Sequence, residues 1–231
     1  MSLIEFRDVT KKFGYKEALH EVNLKIEKGK IYGLLGPNGS GKTTMIKLIN
    51  DLLQPTSGEV LINGEEPGIH SKKIISYLPE RTYLNMDMKV EELFNFFSDF
   101  YLDFDKEKAM ELLKKLDIAI DARLKTMSKG TKEKVQLIAV MSRKADIYIL
   151  DEPIGGVDPA SRDYILETIL NNFNENSSLI ISTHLIADIE KILDQVVFIN
   201  KGKVVLDENA DEIRSKKKKT IDALFREEFK C

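Results

Sequence analysis

The apolar and polar positions of this chain alternate with two periods, one typical of strands and one typical of helices. Val22, Leu24 and Ile26 alternate with polar residues, which predicts a strand with one exposed face. Residues 31–35 are apolar throughout, as in a strand that is covered on both faces of a sheet. Further strand patterns occur at residues 3–7, 59–62, 74–78, 147–150, 178–182, 196–199 and 203–206.

A long segment without a clear strand pattern interrupts this series. From about residue 85 to 145 the apolar residues recur at helical spacing, with Val90 and Leu93 on one face. Residues 210–231 carry many charges and are predicted to be helical. Because strands that alternate with helices favour a parallel sheet, we expect one α/β domain over residues 1–231. It would contain a helical subdomain at 85–145 and a charged tail.

A glycine-rich segment joins the strand at residues 31–35 to a helix predicted over residues 45–53. Glycines let backbone N–H groups turn inward around phosphates, and the helix start adds the positive end of its dipole. Lys42 is placed to reach the β- and γ-phosphates, and the hydroxyl of Thr43 is placed to bind Mg²⁺. The predicted nucleotide-binding loop consists of Gly36, Pro37, Asn38, Gly39, Ser40, Gly41, Lys42, Thr43 and Thr44.

Two adjacent carboxylates, Asp151 and Glu152, follow the apolar strand pattern at residues 147–150. Successive side chains of a strand point in different directions, so the two carboxylates can have different roles. We predict that Asp151 binds Mg²⁺ beside Thr43 and that Glu152 activates a water as general base. A pair of solvated carboxylates at a strand end is the alternative.

A histidine follows a third strand pattern. Thr183 and His184 come directly after residues 178–182, and the carboxyl ends of parallel strands share one sheet edge with the phosphate loop. An imidazole at that edge can hydrogen-bond the γ-phosphate, which gives His184 a predicted catalytic role. An ordinary surface histidine is the alternative.

A second anion-binding pattern precedes the amphipathic helix that contains Val135 and Ile138. Ser128 and Gly130 stand at its N-terminus, where backbone N–H groups favour an anion. Since one nucleotide does not require two such devices, we interpret this one as serving the nucleotide of another subunit. An ordinary serine N-cap is the alternative.

Composition excludes some partners. The net charge of −3 gives no general attraction to nucleic acid, and none is expected as a partner. Cys231 is the only cysteine, so no intrachain disulfide forms, which fits a reducing cytosol. The N-terminus lacks a signal-peptide pattern, and no apolar run approaches 18 residues. We therefore expect any role at a membrane to be exercised through a partner.

Taken in order, these motifs resemble those of the ATP-binding subunits of ABC transporters, from about residue 3 to 206. The family's Walker A, Walker B and signature motifs match Gly36–Thr44, Ile147–Glu152 and Met127–Thr131. The resemblance implies that Phe13 stacks on adenine, with Tyr15 as the alternative. It also implies that Asp158 belongs to the D-loop at the nucleotide and that His184 is the switch histidine.

Two departures from the family pattern concern the site. Glu80 stands where the family has its Q-loop glutamine, and a carboxylate there can still bind Mg²⁺. The signature has Lys129 in place of glycine and Thr131 in place of glutamine, but Ser128 and Gly130 are kept. The resemblance implies that these two residues complete the nucleotide site of the other subunit.

The resemblance implies a P-loop NTPase core with a mainly parallel sheet, an N-terminal antiparallel β-subdomain and an inserted helical subdomain. It implies an ATPase that uses ATP and Mg²⁺ as a homo- or heterodimer with a second ATPase subunit. A separate transmembrane permease, contacted through residues 83–88, would hold it on the inner face of the cell membrane as a short bacterial exporter subunit. The alternatives are a soluble ABC ATPase of translation or DNA repair and a non-hydrolytic regulatory cassette.

Overall fold

The computed structural model describes residues 2–155, 159–173 and 176–229. In these ranges the chain forms two sheets with helices packed against them. The strands are β1 (Ser2–Phe13), β2 (Lys16–Glu27), β3 (Ile31–Leu35), β4 (Ser57–Ile62), β5 (Ile75–Leu78), β6 (Ile147–Asp151), β7 (Ser178–Thr183), β8 (Gln195–Asn200) and β9 (Lys203–Asn209). The helices are α1 (Lys42–Ile49), α2 (Ile69–Ile74), α3 (Val90–Phe100), α4 (Lys106–Lys115), α5 (Lys129–Met141), α6 (Pro159–Asn172), α7 (Ile186–Ile189), α8 (Ala210–Lys216) and α9 (Ile221–Phe229).

The larger sheet has the strand order β5-β6-β7-β3-β8-β9, and every neighbouring pair except β8–β9 is parallel. Its central strands β6 and β7 are buried along their whole length, which explains their continuous apolar runs. The register pairs Leu35 with Thr183 and Asp151 with Ser182. The carboxyl ends of β3, β6 and β7 therefore lie side by side, which confirms the predicted mainly parallel sheet.

The smaller sheet is antiparallel, with the order β2-β1-β4, and confirms the predicted N-terminal β-layer. Its strands are longer than their sequence patterns. For example, β1 was predicted over residues 3–7 and extends to Phe13. The turn into β2 passes through Gly14, whose positive φ of 57° suits glycine. The inner face of this sheet packs with Met45 and Ile46 of α1 in one hydrophobic cluster, so α1 lies against both sheets.

Helix α1 is shorter than predicted, because it ends at Ile49 instead of residue 53. Asp51 adopts a positive φ of 54°, and the N–H of Leu52 donates to the carbonyl of Lys47 over 2.9 Å. This is the Schellman arrangement that ends helices, and it leaves Leu52 half exposed. The helical spacing of apolar residues continues to residue 53 and so does not show where α1 ends. The end is set by the backbone conformation of Asp51, which the apolar pattern does not reveal.

Helices α3, α4 and α5 occupy the segment predicted to be helical and pack around a hydrophobic cluster of their own, which includes Leu93, Phe94 and Ile138. The opposite face of α5 carries Leu137 and Met141 into the main core. Helix α5 thus joins the helical block, defined here as residues 85–145, to the sheet. Among the described residues, no helix is both long and apolar enough to cross a bilayer.

Candidate nucleotide site

The loop between β3 and α1 has a conformation that requires glycine at several positions. A Cβ atom at Gly36 would lie 2.3 Å from the carbonyl oxygen of Ile199. Gly39 and Gly41 adopt φ angles of +77° and +120°, which side chains disfavour. The loop is closed by a hydrogen bond of 3.1 Å from the Ser40 N–H to the carbonyl of Pro37. These constraints fit a backbone cradle for phosphate.

The side chain of Lys42 is folded back into this loop. Its Nζ donates to the carbonyls of Gly36 and Pro37 over 2.7 and 3.3 Å. The residue is only 6% exposed, and burial lowers the pKa of its ammonium group, against the opposing effect of the nearby carboxylates Glu152, Asp151 and Glu80. The loop therefore holds a buried positive charge where an anion would sit.

Asp151 ends β6 beside this cation and is almost completely buried, with 1% exposure. Neither of its carboxylate oxygens has a hydrogen-bond partner among the described residues. Desolvation raises the pKa of Asp151, although the nearby hydroxyls of Ser182 and Thr43 act in the opposite direction. A buried carboxylate without a partner is costly, and a cation would relieve this cost.

The donor set around Asp151 fits Mg²⁺. Asp151, Glu80 and the hydroxyl-bearing Thr43 all line one cavity and present oxygen atoms, the ligands that Mg²⁺ prefers. The described residues contain no cluster of three or more acidic, histidine or cysteine side chains that would form a complete metal cage. Mg²⁺ usually takes one or two carboxylates together with waters and substrate phosphates, so such a cage is not required.

Glu152 and His184 are brought together from the ends of two neighbouring strands. The Nδ1 atom of His184 lies 3.0 Å from Oε2 of Glu152. Glu152 has a positive φ of 53°, and its N–H donates to the carbonyl of Ser182 over 2.7 Å. Backbone strain of this kind is sustained by surrounding structure and is common at functional sites. Glu152 lines the same cavity as Lys42 and Asp151.

A cavity of about 1090 Å³ connects these groups. Its lining includes the predicted residues Phe13, Asn38, Gly39, Gly41, Lys42, Thr43, Thr44, Glu80, Asp151, Glu152 and His184. Phe13 is 48% exposed and is the last residue of β1, whereas the alternative Tyr15 is fully exposed and is not part of the lining. The geometry thus favours Phe13 as the aromatic surface of the cavity.

Several residues of the cavity were not predicted from the sequence. Lys16, Lys129 and Lys132 line it and add positive charge. Lys129 lies within the signature motif and Lys132 directly follows it, and this position beside an anion-binding pattern is the signal that could have identified them. Gly36, Pro37 and Ser40 lie in the loop without lining the cavity. Asp158 lies outside the described residues.

Ser128 and Gly130 do not line the cavity, although Lys129 between them does. Ser128 is the N-cap of α5, where its Oγ accepts from the N–H of Thr131 over 3.1 Å and lies 2.8 Å from the Thr131 hydroxyl. Apart from the adjoining residues and the backbone of α5 itself, no described heavy atom lies within 4 Å of a Cβ built on Gly130. Within this chain, Ser128 therefore acts as an ordinary N-cap, which was the alternative interpretation. The space beside Gly130 at the start of α5 is not filled by described residues outside that helix.

A glycine-rich loop, a buried lysine and an acidic strand end at one edge of a parallel sheet define a P-loop nucleotide-binding protein. The family model described as ABC transporter matches residues 19–155. An ABC transporter ATP-binding protein of Methanocaldococcus jannaschii is 35% identical over 211 residues, which cover 87% of this chain and 76% of that protein. The chain therefore belongs to the ABC transporter family, as an ATP-binding subunit of the ATPase class.

Two further likenesses extend over most of the chain. The Nod factor export ATP-binding protein I of Burkholderia lata is 30% identical over 211 residues, covering 87% of this chain and 69% of that protein. A solved structure of an ATP-binding subunit of an ABC transporter superposes with a TM-score of 0.87 at 26% identity, covering 98% of this chain and 99% of that one. The expected family and fold are thereby confirmed.

Proposed function

We propose that this chain uses Mg²⁺ and Glu152 to hydrolyse ATP between two subunits and so drives an ABC exporter. The observation that carries the proposal is the contact of 3.0 Å between Glu152 and His184 in the cavity that also contains the phosphate loop. A carboxylate held in this way can accept a proton from water. A regulatory cassette that only binds nucleotide would not need this pair.

The binding steps follow from the site residues. Phe13 offers its ring to the adenine, an interaction worth about 1–3 kcal/mol. When ATP binds, the Nζ of Lys42 leaves the carbonyls of Gly36 and Pro37 and donates to phosphate oxygens instead. The loop already holds the ammonium group close to the place where the phosphates would bind. Asp151, Thr43 and Glu80 would hold Mg²⁺, which when bound neutralises charge that develops on the phosphates.

Glu152 then acts as general base. Its carboxylate accepts a proton from the water that attacks the γ-phosphate, while His184 donates from Nδ1 and keeps the carboxylate oriented. The Nε2 atom of His184 takes no part in this contact and is the nitrogen that would face the γ-phosphate, where it donates to a phosphate oxygen only if both ring nitrogens carry a proton. A proton transfer of this kind contributes about 10²–10⁴-fold to the rate.

Ser128 and Gly130 are the residues through which we expect this chain to contact a second subunit. These residues lie outside their own cavity, and the start of α5 offers N–H groups and a dipole to an anion. We infer that they, with Asp158, contact the nucleotide of a facing subunit. ATP then joins the two subunits, and its hydrolysis allows them to separate.

Dimer formation tests this proposal. Glu152→Gln should migrate as a monomer in size exclusion without nucleotide and as a dimer with Mg-ATP. Addition of Ser128→Ala should weaken that dimer, whereas Ser98→Ala, a serine of the same helical block that bonds only the Phe94 carbonyl, should not. A Glu152→Gln protein that binds ATP and stays monomeric at high concentration would refute the ATP sandwich.

The exporter role is supported by the likeness to the Nod factor export protein. A separate membrane subunit would place the chain at the inner face of the membrane. Of the segment 83–88 predicted to contact it, Leu84, Met86 and Met88 pack against the helical cluster, and Tyr83 is 70% exposed. Tyr83 is the apolar side chain of this segment that is most exposed to a partner, so we infer that it belongs to the docking surface. A membrane protein encoded beside this chain should co-purify with the wild type and not with Tyr83→Asp.

A further inference from the structure

Arg143 is a fully buried charged residue that the proposed hydrolysis does not use. It follows the end of α5 and is only 2% exposed, which places it among the largest fully buried side chains of the described chain. A guanidinium group stays charged at any physiological pH, so its burial requires compensating partners. Those partners show what the residue does.

Four of the five N–H donors of Arg143 are used. Its Nε and Nη2 atoms bond the two carboxylate oxygens of Asp103, each over 3.1 Å. The guanidinium carbon lies 3.7 Å from the ring centre of Tyr101, so the planar group stacks on that ring. The remaining hydrogen bonds go to the backbone carbonyls of Ile75 and Lys73.

These partners belong to two different parts of the fold. Tyr101 and Asp103 lie between α3 and α4 in the helical block. Lys73 and Ile75 lie where α2 passes into β5, the edge strand that leads to Glu80. One guanidinium group therefore ties the helical block to the edge of the parallel sheet.

The contacts of Arg143 link two elements of the proposed nucleotide sites. One is α5, which begins at its N-cap Ser128, and the other is β5, which leads to Glu80. Arg143 comes two residues after α5, the helix that begins with Ser128 at its N-cap. It donates to the carbonyl of Ile75 at the start of β5, and Glu80 follows the other end of that strand by two residues. A tilt of α5 about this end would displace Ser128 at the other end of the helix, while the phosphate loop stayed in place.

We propose that Arg143 is a positioning residue that holds the helical block against β5 and so sets where Ser128 and Gly130 meet the facing subunit. Lysine cannot replace it, because a single ammonium group cannot bond Asp103 at two atoms, stack on Tyr101 and reach two carbonyls. This inference rests on the proposed ATP-joined dimer.

Arg143→Lys in the Glu152→Gln background tests the inference. Monomer affinity for a fluorescent ATP analogue should change less than about twofold, because the phosphate loop is untouched. The ATP-dependent dimer should be weakened about tenfold or more by loss of the charge-assisted hydrogen bonds. Hydrogen exchange should rise at residues 101–105 and 73–76. Lys144→Gln, which breaks only the neighbouring exposed pair with Asp105, is the matched control and should dimerise normally.

Asp103→Asn provides a second variant that keeps the guanidinium buried, and it should show the same effects to a smaller degree. Other contacts between these segments, such as the 2.8 Å bond from Ser76 Oγ to the Val140 carbonyl, should keep both variants folded. Normal dimerisation by both variants, with Glu152→Gln itself dimerising, would overturn the inference. If Glu152→Gln alone does not dimerise, the proposed function fails instead.

Discussion

Gly130→Ala distinguishes a glycine needed inside the subunit from one needed by a facing subunit. Gly130 lies in the first turn of α5 and has no positive φ, and beyond its neighbours and its own helix backbone no described atom lies within 4 Å of its would-be Cβ. Within the isolated chain, alanine should therefore be tolerated. It should even stabilise the protein by up to about 1 kcal/mol, since alanine loses less conformational entropy in a helix than glycine.

The dimer should respond in the opposite direction. If a nucleotide of the facing subunit approaches the backbone of Gly130, an added methyl group overpacks that contact at a cost of about 1–3 kcal/mol. A dimer of two copies of this chain would contain this contact twice, which gives about 2–6 kcal/mol. The dissociation constant of the ATP-bound dimer should then rise by about 30-fold to about 10⁴-fold.

Sedimentation of the Glu152→Gln protein with Mg-ATP measures this effect, and urea unfolding of the nucleotide-free protein measures the stability. Gly68→Ala is the control for dimer formation, because Gly68 also lies at the start of a helix, as the N-cap of α2, and its would-be Cβ has only ordinary contacts from 3.7 Å. The reasoning is refuted if Gly130→Ala forms the ATP-bound dimer as tightly as Gly68→Ala does.

Three other outcomes are expected. Glu152→Gln should retain ATP binding and lose about 10²–10⁴-fold in phosphate release, whereas turnover near the wild-type rate would remove Glu152 as the base. Burial raises the pKa of Asp151 above 3.8, so its contribution to stability is present at low pH and is lost as pH rises through the raised value. Asp151→Asn should therefore raise the melting temperature of the nucleotide-free protein at pH 7 and abolish its stabilisation by Mg-ATP; an unchanged melting temperature would contradict the burial cost. Phe225→Ala should lower the free energy of unfolding by about 3–5 kcal/mol in urea titrations, because its ring packs edge-to-face on Phe198 at 5.5 Å, and a loss below 1 kcal/mol would mean that α9 is not part of the core.

Local features of the sequence were sufficient for much of the fold and site. The strands were predictable because their periods of two or their continuous apolar runs reflect burial on one or both faces. The phosphate loop was predictable because its glycines, its lysine and its threonine are close together in the sequence, between a strand pattern and a helix pattern. The Schellman end of α1 at Asp51 was missed, since a residue other than glycine in the left-handed conformation leaves no mark in the hydrophobic pattern.

By itself, the sequence predicted which residues form the nucleotide site and determined the order of the elements that present them. The tertiary structure alone decided which of those residues meet. Glu152 and His184 approach each other across 32 positions of sequence because β6 and β7 are neighbours in the sheet. Arg143 would be expected at the surface from its type, and it is buried because Asp103 and the Lys73 carbonyl, 40 and 70 positions away, replace water around its charge. Such compensation is a property of the assembled fold, since no stretch of local sequence contains both the charge and its partners.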